Sequence, residues 1–401
     1  MIRAAPAFGA LAGLVAAVMH FAGALKSTAL VAAFPLDITL LSAMALLGLL
    51  PLLVLGRGWL LSPGLGPPLA ACGALWLWWV MAAAWSPWSE GAADRLPEIV
   101  LIGPVMLLAG LAIGAEPAAR RVFEGTVIGL GIFVGASIAW GLATDAVVLG
   151  GRVGADPSRV RVQYQMAGLA IACAAGLVAL RATAAGWIWR WAWLALLAAL
   201  SASVLLPGGR AAFIALALTV ALAPGLRWTL EGRVAPAFGW LALMALAGAG
   251  GLAALLLDPD SARQLATLER LLRGSEGMDS ARDILWSEAW RLGGWAGLGP
   301  GGFPPAVGLG QVRGMHPHNH AIEALVEGGA VGLLLWCAAF GGAALFLLAR
   351  LGRVTPERAA SIVALTLPIA MTAMVSTDLG NRMVWFALGL ALSLGVEARR
   401  V

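Results

Sequence analysis

Three of the four histidines in this chain lie within five residues, in the stretch MHPHNH that ends at His320 and directly precedes an apolar run. Neutral imidazole has an ordinary pKa that suits proton abstraction near neutral pH, so a histidine here could act as a general base. Two other interpretations stay open. His316, His318 and His320 could converge on a metal, although no Cys or Asp ligand stands at a familiar spacing. Asn319 or a histidine could instead only cap the following helix.

Two glutamates and three glycines follow this stretch on the same apolar run. Glu323 and Glu327 stand four residues apart and therefore share one face of the predicted helix. A carboxylate near a helix start complements the helix dipole, but Glu327 lies about two turns inside the run, where a charge is costly and usually functional. Gly328, Gly329 and Gly332 would let another backbone approach closely. The sequence therefore predicts a polar site at the start of a membrane helix.

The composition sets the class of protein. Of the 401 residues, 61% are hydrophobic and 12% are charged, whereas a soluble chain is about 25% charged. Such a surface is compatible only with lipid, so the chain is predicted to be a polytopic membrane protein whose first span is retained. The net charge of +5 comes from scattered arginines, which argues against a nucleic-acid partner. The three cysteines lie inside apolar runs and indicate no disulfide or zinc framework.

The apolar runs predict an all-α protein with about twelve transmembrane helices. Residues 1–257 would carry nine spans, 258–319 a large loop with short helices, and 320–401 the last three spans. The runs long enough to cross the hydrocarbon core are 5–24, 36–56, 68–85, 98–115, 123–147, 164–181, 187–206, 211–226, 236–257, 320–349, 360–376 and 382–397.

The charges of the connectors predict the orientation. One alternating set contains arginines with few acids, including the connectors around Arg120, Arg227 and Arg353. Positive charge in short loops marks the cytoplasmic side of the membrane. Both termini are therefore predicted to be cytoplasmic, and the two connectors 148–163 and 258–319 are predicted to face outward.

The histidine stretch also carries a family resemblance. His318-Asn319, followed after nine residues by Gly329-Ala-Val-Gly332, resembles the signature of the bacterial O-antigen ligases and related polysaccharide polymerases. It stands where that family carries it, after the large outward loop and before the tenth span. Further similar segments are Asp279-Ser-Ala-Arg282, Gly297-Leu-Gly299, Gly302-Phe303 and PGGRAAF, which contains Arg210 and has Ile214 where the family usually has leucine.

The resemblance implies an activity and an architecture. The expected protein is a glycosyltransferase of the GT-C type in the bacterial inner membrane, with its active site facing the periplasm. It would move a glycan from undecaprenyl diphosphate to a sugar hydroxyl of lipid A–core, with inversion and without metal or cofactor. His318 would be the general base. Arg210 and Arg282 would stabilise the leaving diphosphate, because the guanidinium fork suits phosphate oxygens.

Other residues are expected to bind or position the substrates. Asn319 would cap or position the loop, and Glu327 would orient His318 or another partner. The remaining candidates for substrate binding are Arg152, Arg161, His316 and Arg382. Simpler interpretations stay open for several arginines. Arg210 could snorkel at a span end, Arg282 could pair with a neighbouring acid, and Arg152 and Arg161 could be solvated.

Three other functions compete with the ligase. A polymerase of the same superfamily is the nearest, and the short connector 148–163 favours the ligase over it. A protein O-oligosaccharyltransferase would differ only in its acceptor. A twelve-span transporter belongs to another class; transporters usually have internal repeats and helices broken in matching positions, and the sequence has no evident repeat.

Overall fold

The computed structural model describes residues 5–149, 159–258, 265–272, 278–312 and 314–399. The chain is mostly helical. Eight helical segments within these ranges are long and apolar enough to cross a membrane, and Ala7–His20 and Arg382–Gly395 are shorter apolar helices. The prediction of a mostly helical protein with several candidate membrane spans is confirmed.

The helices follow the chain in a simple order. They are α1 (Ala5–His20), α2 (Ala22–Leu25), α3 (Ala29–Ala32), α4 (Ile38–Leu55), α5 (Gly66–Ala82), α6 (Ser89–Pro97), α7 (Gly103–Ala115), α8 (Pro117–Ala143), α9 (Tyr164–Ala184), α10 (Trp187–Ser203), α11 (Arg210–Leu230), α12 (Val234–Leu257), α13 (Ala266–Leu272), α14 (Met278–Leu292), α15 (Phe303–Ala306), α16 (His320–Trp336), α17 (Gly342–Arg350), α18 (Pro356–Ala373) and α19 (Arg382–Leu392). Turns of π-helix, Glu98–Ile102 and Cys337–Gly341, join α6 to α7 and α16 to α17.

Each of the twelve predicted spans contains a helix, and the total of twelve spans stays a prediction. The largest shift in a boundary concerns the fourth predicted span, 98–115. Its helix begins earlier, at Ser89, and so includes Arg95. Arg95 in this added helical segment is paired with carboxylates inside the protein, as described below.

The chain forms two compact units. The first comprises Met1–Gly56, Glu116–Gly274 and Leu351–Ile369. Its central helix is α9, because 83% of the most apolar part of this helix is buried between α8, α10 and α11. Small residues allow this packing: a Cβ added to Gly168 would lie 2.4 Å from the Cβ of Ala212. Close backbone approach at small residues is the usual way in which membrane helices associate.

The second unit comprises Arg57–Ala115, Ser275–Arg350 and Ala370–Val401. Its closest helix pair is α7 with α19. A Cβ on Gly110 would lie 2.1 Å from the carbonyl oxygen of Phe386, and a Cβ on Gly389 would lie 2.1 Å from that of Leu107. These two glycines therefore fix the distance between the helices. The helix α5 packs against α16 in the same unit.

Two small sheets accompany the helices within the described ranges and were not predicted. In the second unit β1 (Gly58–Leu61) pairs antiparallel with β4 (Val396–Arg399). In the first unit β2 (Val147–Leu149) pairs in parallel with β3 (Val160–Val162). The strands have three or four residues each, which is too short for an alternating pattern to stand out in the sequence.

Candidate active site around the histidine stretch

The site lies in the second unit, at the start of α16. Asn319 caps this helix: its Oδ1 accepts hydrogen bonds from the backbone N–H of Ala321 at 3.0 Å and of Ile322 at 3.1 Å. Its Nδ2 donates to the carbonyl oxygen of Met374 at 2.7 Å. The predicted capping role is confirmed, and the same side chain also ties the histidine stretch to the segment that precedes α19.

The helix α16 is broken at Gly329, which has φ 69° and ψ −170°. A break in a membrane helix leaves backbone groups that need new partners. The segment after α14 and one tryptophan supply them: Leu298 N–H donates to Val326 O at 2.9 Å, Gly299 N–H to Glu327 O at 2.8 Å, Trp78 Nε1 to Gly328 O at 2.7 Å, and Ala330 N–H to Gly294 O at 2.9 Å. The loop backbone therefore replaces the missing turn of helix.

This fit depends on glycines from both segments. A Cβ on Gly297 would lie 2.3 Å from the backbone nitrogen of Gly329, and a Cβ on Gly329 would lie 2.3 Å from the carbonyl oxygen of Trp295. Both glycines also have positive φ, which other residues adopt at a cost. The Gly-x-x-Gly and Gly-Leu-Gly motifs thus have a common structural reason, since they are the two halves of one backbone contact.

His318 is held in a strained backbone conformation. Its φ is +59°, which is uncommon for a residue with a side chain and is found most often at functional sites. Its N–H donates to Nδ1 of His316 at 3.1 Å. Trp286, on α14, donates from Nε1 to the carbonyl oxygen of Pro317 at 2.7 Å. These hydrogen bonds hold both polar groups of the peptide bond between Pro317 and His318, and so position the backbone that carries the His318 ring.

The His318 ring has one nitrogen available for a proton. The ring hydrogen-bonds to the backbone of Ser376, whereas its buried Nδ1 has no partner in the part of the chain that the structure describes. Burial lowers the pKa of His318, and the positive charge of Arg282 lowers it further. His318 is therefore neutral near pH 7, as a general base must be.

His316 is neutral as well, and it contacts both His318 and an acid. The ring centroids of the two histidines lie 4.2 Å apart, and Nε2 of His316 lies 3.6 Å from Oδ2 of Asp378. Burial lowers the pKa of His316 to about 3, although the Asp378 carboxylate acts in the opposite direction. A second protonated ring beside His318 is therefore avoided at neutral pH.

Arg95, on α6, forms ion pairs with two carboxylates beside the histidine stretch. Its guanidinium forms an ion pair with Glu323, and its Nη1 lies 3.1 Å from Oδ2 of Asp378. The Glu323 side chain is fully buried, and its Oε2 accepts from the backbone N–H of Leu379 at 2.9 Å. Burial acts to raise the pKa of Asp378, but Arg95 and the neighbouring histidines hold that pKa below its ordinary value. One guanidinium thus lies between two carboxylates from distant parts of the sequence.

Both ring nitrogens of His320 have partners within the protein. Its Nε2 lies 2.5 Å from the carbonyl oxygen of Asp378, and its Nδ1 accepts from Nε1 of Trp336 at 3.5 Å. These partners place the proton of the neutral ring on Nε2. With both nitrogens engaged and the side chain fully buried, His320 supports the turn at Asp378.

Glu327 is oriented by the loop backbone. Its carboxylate accepts from the backbone N–H of Gly301 and of Phe303, and its Oε2 has no hydrogen-bond partner within the described ranges. The carboxylate faces the loop, and the hypothesis that Glu327 orients His318 stays a prediction. The loop backbone at Gly301 and Phe303 is therefore the other partner for Glu327 that the sequence left open.

The remaining predicted residues are divided between the two units. Arg282 is half-buried on α14 in the second unit, close enough to affect the pKa of His318. Arg382 is the first residue of α19, in the same unit, and interacts electrostatically with Glu98. Arg210 begins α11 and Arg161 is exposed on β3, both in the first unit. Arg152 lies outside the described residues.

Arg95 was not predicted from the sequence as a residue of the site, and Glu323 was expected only to complement the helix dipole. A signal was present in ADRLPEIV, where Asp94, Arg95 and Glu98 stand directly before an apolar run. An ionisable residue at the edge of a membrane span needs a partner inside the protein. Glu323, on another span, was an acid of opposite charge available to serve as that partner.

Comparison with other proteins adds no assignment. Among the described residues, no group of three or more His, Cys, Asp or Glu side chains is arranged to hold a metal ion. No family model matches the chain, and no curated protein is significantly similar to it. The site is therefore interpreted from its own geometry and from the motifs in the sequence.

Proposed function

We propose that the chain is an inner-membrane glycosyltransferase that moves a glycan from undecaprenyl diphosphate to a sugar hydroxyl of lipid A–core. The proposal includes about twelve spans, cytoplasmic termini, a GT-C-like architecture and a site on the periplasmic side. It is supported by the resemblance of the His-Asn and Gly-x-x-Gly motifs to the O-antigen ligases. The geometry supplies a physical reason for both motifs.

The observation that carries the proposal is the state of His318. The ring is neutral, and its buried Nδ1 has no hydrogen-bond partner among the residues that the structure describes. Its strained backbone is held by hydrogen bonds to both polar groups of the peptide bond between Pro317 and His318. Backbone strain persists where the surrounding structure overdetermines it, and such residues cluster at active sites. Arg282 places a positive charge near this nitrogen. A base beside a cation suits a reaction that removes a proton and releases an anion.

The proposed reaction is a single displacement. Nδ1 of His318 accepts the proton of the acceptor hydroxyl while its oxygen forms a bond to the anomeric carbon. The bond between that carbon and the diphosphate oxygen breaks, and the electron pair leaves with the diphosphate. Arg282 would meet the developing negative charge, which is often the largest contribution to catalysis, and a contribution from Arg210 stays a prediction. Arg95 has no such role, because two carboxylates already compensate it.

The acceptor distinguishes the proposed ligase from the other enzymes of the same superfamily. A polymerase would use another lipid-linked glycan, and a protein O-oligosaccharyltransferase would use a serine or threonine hydroxyl. The base and the phosphate-binding arginines would be the same in each case. The short connector 148–163 favours the ligase.

A transporter is the second candidate, because the helix α16 is discontinuous and carries buried carboxylates. In transporters the carbonyl groups of such a break coordinate the transported ion. Here three carbonyl groups at the break, those of Val326, Glu327 and Gly328, accept hydrogen bonds from Leu298, Gly299 and Trp78. The occupied carbonyls favour a rigid support for the histidines over an ion site.

The test is transfer in vitro by purified protein. Undecaprenyl-diphosphate glycan and lipid A–core would be incubated with wild type and with His318→Ala, with EDTA present. The proposal expects glycosylated lipid A–core from wild type alone. Longer lipid-linked glycan would identify a polymerase, and solute uptake into vesicles without any transfer would identify a transporter. Arg282→Gln should also abolish most transfer, whereas Arg291→Gln, on the same helix and exposed beside Glu288, should leave it unchanged.

A further inference from the structure

The first unit contains a second polar site. A cavity of about 260 Å³ lies among the ends of α8, α9, α11 and α18. Since one water takes about 30 Å³ in the liquid, this volume holds a phosphate group with several waters. Five arginines line it, from connectors that belong to the predicted cytoplasmic set: Arg120, Arg121, Arg181, Arg227 and Arg358.

The positive charge of the cavity is only partly compensated. Its lining contains two acids, Glu124 and Glu357, against the five arginines. Glu124 is shared by two guanidiniums, at 3.9 Å from Nε of Arg120 and 3.7 Å from Nη2 of Arg181. Both distances exceed those of a direct hydrogen bond. A third acid outside the lining, Glu231, lies with its Oε1 3.4 Å from Nε of Arg227. Five arginines thus stand against three acids, and an anion would find an excess of positive charge.

The arginines range from buried to exposed, so the cavity extends from the interior to the surface. The Arg227 side chain is 6% exposed and that of Arg181 is 51% exposed. A hydrogen bond to α9 holds Arg227 in place, because its Nη1 donates to the carbonyl oxygen of Leu180 at 3.2 Å. A fixed inner guanidinium with exposed outer ones suits an anion that enters from the membrane surface.

Apolar side chains form another wall of the cavity. Leu177, Leu180 and Ala184 lie on α9 beside the arginines. A free phosphate ion gains nothing from such a wall, whereas the glycerol and acyl stem of a phospholipid does. Basic pockets between membrane helices on the cytoplasmic side are suited to anionic head groups.

We propose that this cavity binds the phosphate of an acidic phospholipid head group at the cytoplasmic end of the first unit. The guanidinium groups hold the phosphate oxygens through charge-assisted hydrogen bonds, and the α9 wall packs against the upper part of the acyl chains. The site is independent of the proposed transfer reaction, which uses the histidine stretch of the second unit.

The test is native mass spectrometry of the full chain in a neutral detergent. The protein is titrated separately with phosphatidylglycerol, phosphatidylcholine and inorganic phosphate. The expected result is tight binding of phosphatidylglycerol, which the double variant R181Q/R358Q weakens about 30-fold for two lost guanidiniums. Retention of inorganic phosphate with the same dependence on these arginines would support the anion site and identify its source as a free ion.

A matched control separates this site from general surface attraction. Arg190 and Arg233 are exposed arginines of the same predicted side that do not line the cavity. The double variant R190Q/R233Q removes the same charge and should bind phosphatidylglycerol as wild type does. Equal weakening in both double variants, or equal binding of phosphatidylcholine, would overturn the proposal. Should R181Q/R358Q fail to fold, R181K/R358K, which keeps the charge but not the fork, should bind with intermediate affinity.

Discussion

Nη1 of Arg95 lies 3.1 Å from Oδ2 of Asp378, which joins the helix before the π-turn at Glu98 to the turn that precedes α19. The same carboxylate lies 3.6 Å from Nε2 of His316. The position of the histidine stretch therefore depends on a charge pair between two residues from distant parts of the sequence.

Removing Arg95 should destabilise the protein strongly. Arg95→Gln leaves the fully buried Glu323 carboxylate without a compensating charge, a change that typically costs about 3–5 kcal/mol. Thermal unfolding of the purified protein would measure the loss. The double variant R95Q/E323Q should regain part of the stability, since no lone charge remains. A single variant as stable as wild type would show that the network contributes little.

Trp286→Phe should slow transfer without preventing folding. The change keeps the aromatic ring but removes the donor to the carbonyl oxygen of Pro317, and hence one of the contacts that direct His318. A lost hydrogen bond of about 1 kcal/mol would lower kcat roughly fivefold, with KM nearly unchanged because Trp286 has a positioning role. Trp290→Phe, four residues along and exposed, should behave as wild type. Equal kinetics for both variants would remove this role from Trp286.

Gly329→Ala should disrupt the site. The added Cβ would lie 2.3 Å from the carbonyl oxygen of Trp295, and alanine would also have to adopt a positive φ. Separation of the loop from the helix break should abolish transfer and increase proteolysis between residues 294 and 303. Gly73→Ala, in α5 with open space around the glycine, is the control and should be neutral or slightly stabilising. A fully active Gly329→Ala protein would contradict the backbone contact described here.

The pH dependence of transfer should report His318. Its folded pKa lies below the ordinary value of 6.5, so the neutral, active form persists above pH 6.5 and is lost as the pH falls through the lowered pKa. The acid limb of kcat/KM should therefore lie below pH 6.5. Arg282→Lys keeps the positive charge and should leave the limb nearly in place, whereas Arg282→Gln should move it to higher pH. If Arg282→Gln leaves the acid limb of kcat/KM unmoved, Arg282 does not influence the pKa of His318.

Much of the fold could be predicted from the sequence because lipid imposes long apolar helices with charges between them. The start of α16 was also predictable, since Asn319 is a strong capping residue in front of an apolar run. The break at Gly329 was not, because the apolar run continues through it and the partners that stabilise it lie in the preceding loop. Arg95 and Glu323 stand 228 residues apart, so only the folded chain brings them together. The pairing of Gly297 with Gly329 explains two motifs that the sequence presents separately.

The central claim is that Nδ1 of His318 takes a proton from a sugar hydroxyl. The most direct test compares wild type, His318→Ala and His318→Asn in the transfer of glycan from undecaprenyl diphosphate to lipid A–core. Thermal unfolding of each variant would show that it is folded. The account predicts transfer by wild type and a loss of at least about 100-fold in both variants, the contribution typical of a general base. Transfer by a folded His318→Ala protein at the wild-type rate would contradict it.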